Sequence, residues 1–249
     1  MAIALKSSQE IEKMRASGRI LRQVHLAVEA AIKPGVTTMD LERVAEAKIQ
    51  ELGGKPAFKG YNDYPCCLCT SVNNEVIHGI PSEKKVLQEG DIVSVDCGVI
   101  LEGYYSDAAG TYPVGRISQE TRKLLDVTKA SLEQAIQEVQ IGATVGDIGA
   151  AVQEMCEAQG YGVVRDFVGH GIGKSMHEDP QVPNYGRRGK GTKLKAGMVI
   201  AIEPMINAGT AEVKVLKDGW TAVTLDGSMS AHFEHTVAVT KDGPLVLTQ

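Results

Sequence analysis

Apolar side chains recur along this chain with two periods, and the change from one to the other happens twice in the same order. From Ile11, the positions Met14, Leu21, Val24 and Val28 keep helical spacing, with Ser7 as an N-cap and Glu10 three residues on to complete a capping box. A second long helix is expected from about Ser118, with Leu124, Leu125, Leu132 and Ile136 on its apolar face. Shorter helices are predicted from Thr38 and Thr144, each stopped by a glycine, Gly53 and Gly160. Short apolar runs such as 92–100 and 198–202 read as buried strands. Strands follow the helices rather than alternating with them, so the expected class is α+β, with helices backing a curved antiparallel sheet.

The two halves are related. The turn, cap and first helical turn at 34–41 are repeated at 141–148, which sets Gly35 against Gly142, 107 positions apart. The same offset joins Gly53 to Gly160, Leu87 to Leu194, Gly90 to Gly197 and Asp96 to Glu203. One constant offset across cap, helix stop and strand indicates a duplicated half. No low-complexity linker interrupts the chain, so one domain is expected over 1–249, with halves at about 1–110 and 115–249.

Composition narrows the function classes. With 249 residues, 43% hydrophobic and 23% charged, the chain can bury a substantial core, which argues against disorder. Its 31 acids against 26 bases give a net charge of -5 and no broad cationic face, which argues against nucleic-acid recognition. No apolar run approaches the roughly 20 residues that cross a bilayer, and Met1 to Ser8 lacks the apolar core of a signal peptide. A soluble cytoplasmic protein is expected. Five cysteines, three of them at Cys66, Cys67 and Cys69, fit a reducing compartment, and their spacing does not match a zinc ribbon.

The chemistry lies in acids placed where strands should be apolar. Asp96 interrupts the run Ile92 to Ile100, and the turn signal Leu101-Glu102-Gly103 returns the chain to Asp107. A hairpin there makes the two acids direct or diagonal neighbours, roughly 5–8 Å apart on one face. Like charges at that distance repel unless a cation lies between them or one takes a proton. Glu203 ends the run Met198 to Ile202 just before Pro204, and Glu234 enters another apolar run, Thr236 to Val239. His170 lies between glycines in Gly169-His170-Gly171, an accessible imidazole. Four carboxylates and one imidazole form an oxygen-rich set suited to manganese, iron or cobalt, and to two adjacent ions rather than one structural zinc. Other motifs fail: Gly173-Lys174-Ser175 ends like a phosphate loop, but Val168 stands where its first glycine is required. His177-Glu178 begins like a zincin helix, but Pro180 and Gln181 break the pattern.

Asp96, Asp107, His170, Glu203 and Glu234, in the settings Val-Asp-Cys-Gly, Ser-Asp-Ala-Ala, Gly-His-Gly-Ile-Gly, Ile-Glu-Pro-Met and Phe-Glu-His-Thr, resemble the ligand set of the type I methionine aminopeptidases. The segments Asn74 to Pro81 and Lys217 to Trp220 agree with that family as well. The resemblance implies the pita-bread fold, with two pseudo-symmetric halves, and removal of the initiator methionine from nascent polypeptides. It implies two divalent ions, cobalt, manganese or iron, with zinc and nickel as further options. Asp96 and Asp107 would hold one ion, Asp107, His170, Glu203 and Glu234 would hold the other, and Asp107 and Glu234 would bridge. Glu203 would carry the proton, and His78 and His177 would contact substrate at the scissile amide. Tyr61, Tyr64, Cys69 and Trp220 match the family's methionine pocket, with Phe58 and Met176 at variable pocket positions. The implied partners are nascent chain N-termini at the ribosome, met by a monomer. Only 32 residues, 171–202, separate His170 from Glu203, which favours the short type I form over relatives with an insertion there. Two alternatives remain at this level: a proline-directed peptidase on the same fold, and a non-catalytic binding protein.

Overall fold

The computed structural model describes residues 3–249. Four α-helices are present among them, α1 (Ser8–Ala31), α2 (Thr38–Glu51), α3 (Gln119–Gln137) and α4 (Val145–Glu157), with a short 3-10 turn at Tyr61–Asp63. The strands of the first half are β1 (Lys55–Pro56), β2 (Leu68–Val72), β3 (Glu75–Ile77), β4 (Ile92–Leu101) and β5 (Tyr104–Pro113). Those of the second half are β6 (Gly162–Val163), β7 (Gly169–Gly171), β8 (Glu178–Val182), β9 (Val199–Ile202), β10 (Met205–Asn207), β11 (Val213–Val215), β12 (Ala222–Thr224), β13 (Ser230–His232), β14 (Glu234–Thr240) and β15 (Gly243–Val246). No helix among the described residues is long and apolar enough to cross a membrane.

Local chemistry starts and stops the helices where the apolar pattern changes. Ser7 and Glu10 close a capping box on α1, and Thr37 with Asp40 and Thr144 with Asp147 do the same for α2 and α4. Gly53 and Gly160 follow α2 and α4 with φ of 75° and 82°, a conformation that a side chain would strain. The apolar stripes of α1 and α2 (Leu21, Val24, Leu41, Ile49) pack on Val93, Val95 and Val99 of β4. Those of α3 and α4 (Leu132, Ile136, Ile148, Val152) pack on Ile200, Ile202 and Val237.

The main sheet has nine strands and runs β1-β4-β5-β14-β9-β7-β8, with β2 also on β4 and β15 also on β14. Its pairings are antiparallel. The hairpin β4–β5 and the pair β9–β14 flank a central seam, β5 against β14. Equivalent hydrogen bonds recur in the two halves: Gly35 N–H donates to the Leu87 carbonyl at 2.8 Å, and Gly142 N–H to the Leu194 carbonyl at 3.0 Å. Thr37 bridges to Val86, and Thr144 to Lys193. The pita-bread architecture is present, and helices cover the face of the sheet opposite the strand acids.

Candidate metal centre

The turn between β4 and β5 fixes the first two acids. Glu102 and Gly103 take φ of 49° and 81°, both positive as a two-residue hairpin loop requires. Leu101 therefore pairs with Tyr104, and Asp96 falls opposite Ala109 while Gly98 falls opposite Asp107. The acids are diagonal neighbours on one face. On the other side of β5, Ala109 pairs with Glu234. His235 pairs with Ile202, and the same register carried one residue further sets Glu234 against Glu203. A row thus runs across four strands, from Asp96 through Ala109 and Glu234 to Glu203, and the small side chain of Ala109 leaves room for Asp107 beside it.

His170 reaches this row from β7. Its Nδ1–H donates to the Gly171 carbonyl at 2.9 Å, because a carbonyl can only accept, so in the neutral ring Nε2 carries a lone pair. That atom lies 3.6 Å from Glu203 Oε1 and 3.8 Å from Asp107 Oδ2. Ligand atoms of Asp107, His170 and Glu234 all lie within 4.8 Å of one another. Asp96 Oδ1, Asp107 Oδ1 and Glu234 Oε1 are inaccessible to water and have no hydrogen-bond partner. No Lys or Arg among the described residues forms an ion pair with any of the four acids.

Removal from water raises every one of these acids. Asp96 is pushed up to about 7 by burial. Asp107 rises well above the ordinary range, through burial first and then the charges of Glu234 and Asp96. Glu203 and Glu234 rise well above theirs for the same kinds of reason. Burial holds His170 neutral, down at about 4. Acceptor atoms crowded together without donors are costly as a purely protein arrangement, and a divalent cation reverses each of these penalties. The donor set therefore fits divalent metal.

The acids and His170 line one side of a cavity of about 270 Å³, and every site residue named from the sequence lines it too. Tyr64 and Trp220 meet edge to face at 5.0 Å, and the single Tyr64 hydroxyl proton lies between the Leu68 and Gly79 carbonyls, 2.9 and 3.2 Å from the oxygen. Phe58 and Met176 close over Gly98, where an added Cβ would stand 2.8 Å from both Met176 Cε and Phe58 Cε1. Burial keeps the Cys69 thiol protonated. The His177 ring centre lies 4.3 Å from that of His170 with the planes tilted by 56°, and its Nδ1 lies 2.8 Å from the Tyr61 hydroxyl. His78 sits at φ 59° between Phe167 and Trp220 and is held neutral by burial, at about 4.

Sequence reasoning missed several neighbours. Asn62, Ile77, Phe167 and Val168 also line the cavity. Phe167 was the most findable, being one of three phenylalanines and three residues before His170. His232 Nε2 lies 3.9 Å from Glu203 Oε2, and Asn184 donates to the Glu203 carbonyl at 2.9 Å. Nothing local in the sequence pointed to either. All five cysteines are free and buried. A second acidic group, Glu42, Glu46 and Cys67, is already employed. Glu42 accepts from the Cys67 and Leu68 amides, and Glu46 accepts from Lys59. The failed zincin motif lies at the start of β8, in an extended strand rather than a helix.

Comparison with known proteins identifies the family of the chain. Residues 12–241 match metallopeptidase family M24. The chain is 55% identical over 246 residues to the methionine aminopeptidase of Clostridium acetobutylicum, covering 99% of this chain and 98% of that one. It is 49% identical to methionine aminopeptidase 1 of Bacillus subtilis, covering 99% of each. The crystal structure of methionine aminopeptidase from Thermotoga maritima superposes with a TM-score of 0.98 at 47% identity over the full length of both chains. Agreement of that extent in sequence and in backbone has one explanation, which is common descent: the chain belongs to metallopeptidase family M24, in the lineage of the methionine aminopeptidases.

Proposed function

We propose that this enzyme removes the N-terminal methionine of newly made polypeptides when the next residue is small. The observation that carries the reading is the row of acids, with its unpartnered oxygens, opening directly into a sulfur- and aromatic-lined cavity. The lineage supports it. Asp96, Asp107 and Glu234 would hold one divalent ion, and Asp107, His170, Glu203 and Glu234 the other. Cobalt, manganese, iron, zinc and nickel all suit such donors. Bound there, divalent ions supply Lewis acidity toward a carbonyl and lower the pKa of water.

The chain's own residues do the rest. Glu203, raised by burial, is poised to take a proton on its carboxylate and return it to the leaving amine. His78 and His177, both kept neutral by burial, offer ring N–H donors to the scissile amide. Phe58, Tyr61, Tyr64, Cys69, Met176 and Trp220 enclose the methionine side chain and exclude water from it. Residues 1–249 act as one catalytic unit, with ligands drawn from both repeats. The five free, buried cysteines fit a reducing compartment, and the reading carries with it a cytoplasmic monomer that meets nascent chains at the ribosome.

The test is release of methionine from Met-Ala-Ser by metal-reconstituted protein. Turnover of that peptide and not of Xaa-Pro peptides is expected. Glu203→Gln should lower kcat by about 100-fold or more. Full activity in that variant would remove Glu203 from the chemistry, and preference for Xaa-Pro would replace the reading with a proline-directed peptidase.

A further inference from the structure

The loop 172–178 carries two residues of the cavity, Met176 and His177, and it is held by a side chain from the far end of the sequence. Lys6 Nζ donates to Glu178 Oε2 at 2.6 Å and to the Ala4 carbonyl at 3.1 Å. The ion pair is largely buried, with side chains 6% and 17% exposed. The other oxygen of Glu178, Oε1, turns back into the loop and accepts from the Lys174 and Ser175 amides at 2.9 and 3.2 Å. Glu178 therefore joins Lys6 to the turn of backbone that precedes His177.

Lys6 is itself fixed. Its backbone N–H donates to the Gly197 carbonyl at 2.7 Å at the entry to β9, and the next residue, Ser7, caps α1. The packing around the pair has no slack. A Cβ on Gly173 would stand 2.5 Å from Lys6 Cε and 2.7 Å from Glu178 Oε1. The loop is tied on its other side by the Tyr105 N–H, which donates to the Gly173 carbonyl at 2.9 Å. On the cavity side the His177 ring meets the hydroxyl of Tyr61, which is 37% exposed, and the ring of His170. A half-exposed imidazole carried on a loop keeps one orientation only if the backbone beneath it is rigid.

We propose that Lys6 is a positioning residue for His177: through Glu178 it locks the loop that presents the imidazole to the scissile amide. The inference rests on the proposed role of His177 and extends it to a residue 171 positions away, before the first helix. Removing the ammonium leaves the Glu178 carboxylate buried without its partner. The carboxylate then turns toward water and draws the Lys174 and Ser175 amides with it.

The test is a double-mutant cycle on the metal-loaded full chain, with Met-Ala-Ser as substrate. Lys6→Met should lower kcat about tenfold or more with KM little changed, and Lys6→Arg should recover much of the loss. In a His177→Ala background, Lys6→Met should have no further effect, because its influence passes through the missing ring. A readout without turnover is the side-chain 15N spectrum of the metal-free protein. There Lys6→Met should broaden or shift the His177 ring signals and leave those of His25 in place. If Lys6→Met does not fold, Glu178→Gln replaces it in the same cycle, because Gln keeps an acceptor for the two amides and loses the charge. Unchanged kcat, or a loss that multiplies in full in the His177→Ala background, would overturn the proposal. A His177→Ala variant as active as the parent would overturn the role of His177 instead, and a parent inactive on Met-Ala-Ser would overturn the function itself.

Discussion

Ionisable side chains away from the metal centre also set conditions on this fold. His25 is buried in α1 with both ring nitrogens occupied: Nε2–H donates to the Ala108 carbonyl at 2.9 Å, and Nδ1 faces the Tyr112 hydroxyl at 3.2 Å. Burial pulls it down to about 4 from the ordinary 6.5. Its folded value is depressed, so the unfolded chain binds the extra proton first. The stability it contributes is whole above about 6.5 and falls away as the pH drops toward 4. A displacement of that size corresponds to about 3 kcal/mol. His25→Gln should lose this slope: the stability difference between pH 7 and pH 4 from urea unfolding should shrink by about that amount. An unaltered slope would mean that His25 titrates normally. Glu10 shows the opposite, local case. Its hydrogen bonds with Ser7 draw it down to about 2, in keeping with the capping box legible in the sequence.

At the level of elements, the decisive feature is the seam between β5 and β14. Only two residue pairs form its ladder, Glu234 with Ala109 and His235 with Ala108. Threonine hydroxyls continue it in both directions. Thr236 Oγ1 accepts from the Asp107 N–H at 3.0 Å and donates to the Asp107 carbonyl at 2.7 Å. Thr111 Oγ1 does the same for His232, at 2.8 Å each. Each hydroxyl takes the place of a pair of backbone bonds at the two ends of the ladder, beside the candidate ligands Asp107 and Glu234. Thr236→Val keeps the shape and removes both bonds, leaving a buried N–H and carbonyl unpaired. It should cost about 2–4 kcal/mol in chemical unfolding and weaken metal binding measured by calorimetry, while Thr236→Ser should be nearly neutral. A destabilised Val variant with undiminished metal affinity would separate the seam from the site.

Across the whole molecule, the two repeats meet where charge has to be neutralised. Three strand carboxylates and Glu203, just past the end of β9, converge with one neutral imidazole, and their burial as charged groups is offset by a cation among them or by protonation. Chelation should therefore lower the melting temperature by about 5 °C or more for a chain of this size, and restoring a divalent ion should return it. In metal-free protein, Asp107→Asn should raise the melting temperature above that of the parent, because it removes one of the opposed charges. The same change should abolish stabilisation by added metal. A chelated parent as stable as the loaded one would speak against an ion at this site.

The sequence alone determined what depends on near neighbours along the chain. The cap at Ser7, the helix starts near Thr38 and Thr144, the stops at Gly53 and Gly160, a turn within Leu101-Glu102-Gly103 and the five candidate ligand residues are all local, so composition and spacing reveal them. The choice of Glu102-Gly103 as the loop, and with it the diagonal register, came from the fold. The repeat was legible for the same reason, because a copied stretch keeps its internal spacing. Tertiary structure decided what depends on pairing between distant strands. Glu234 lies beside Ala109 and Glu203 because of the registers of β14 with β5 and β9, which no turn dictates. The contact of His232 with Glu203, the bond from Asn184 to the Glu203 carbonyl and the reach of Lys6 to Glu178 are likewise long-range. Their partners are chosen by how the helices and strands pack in three dimensions, and burial then sets the proton affinities that make the site reactive.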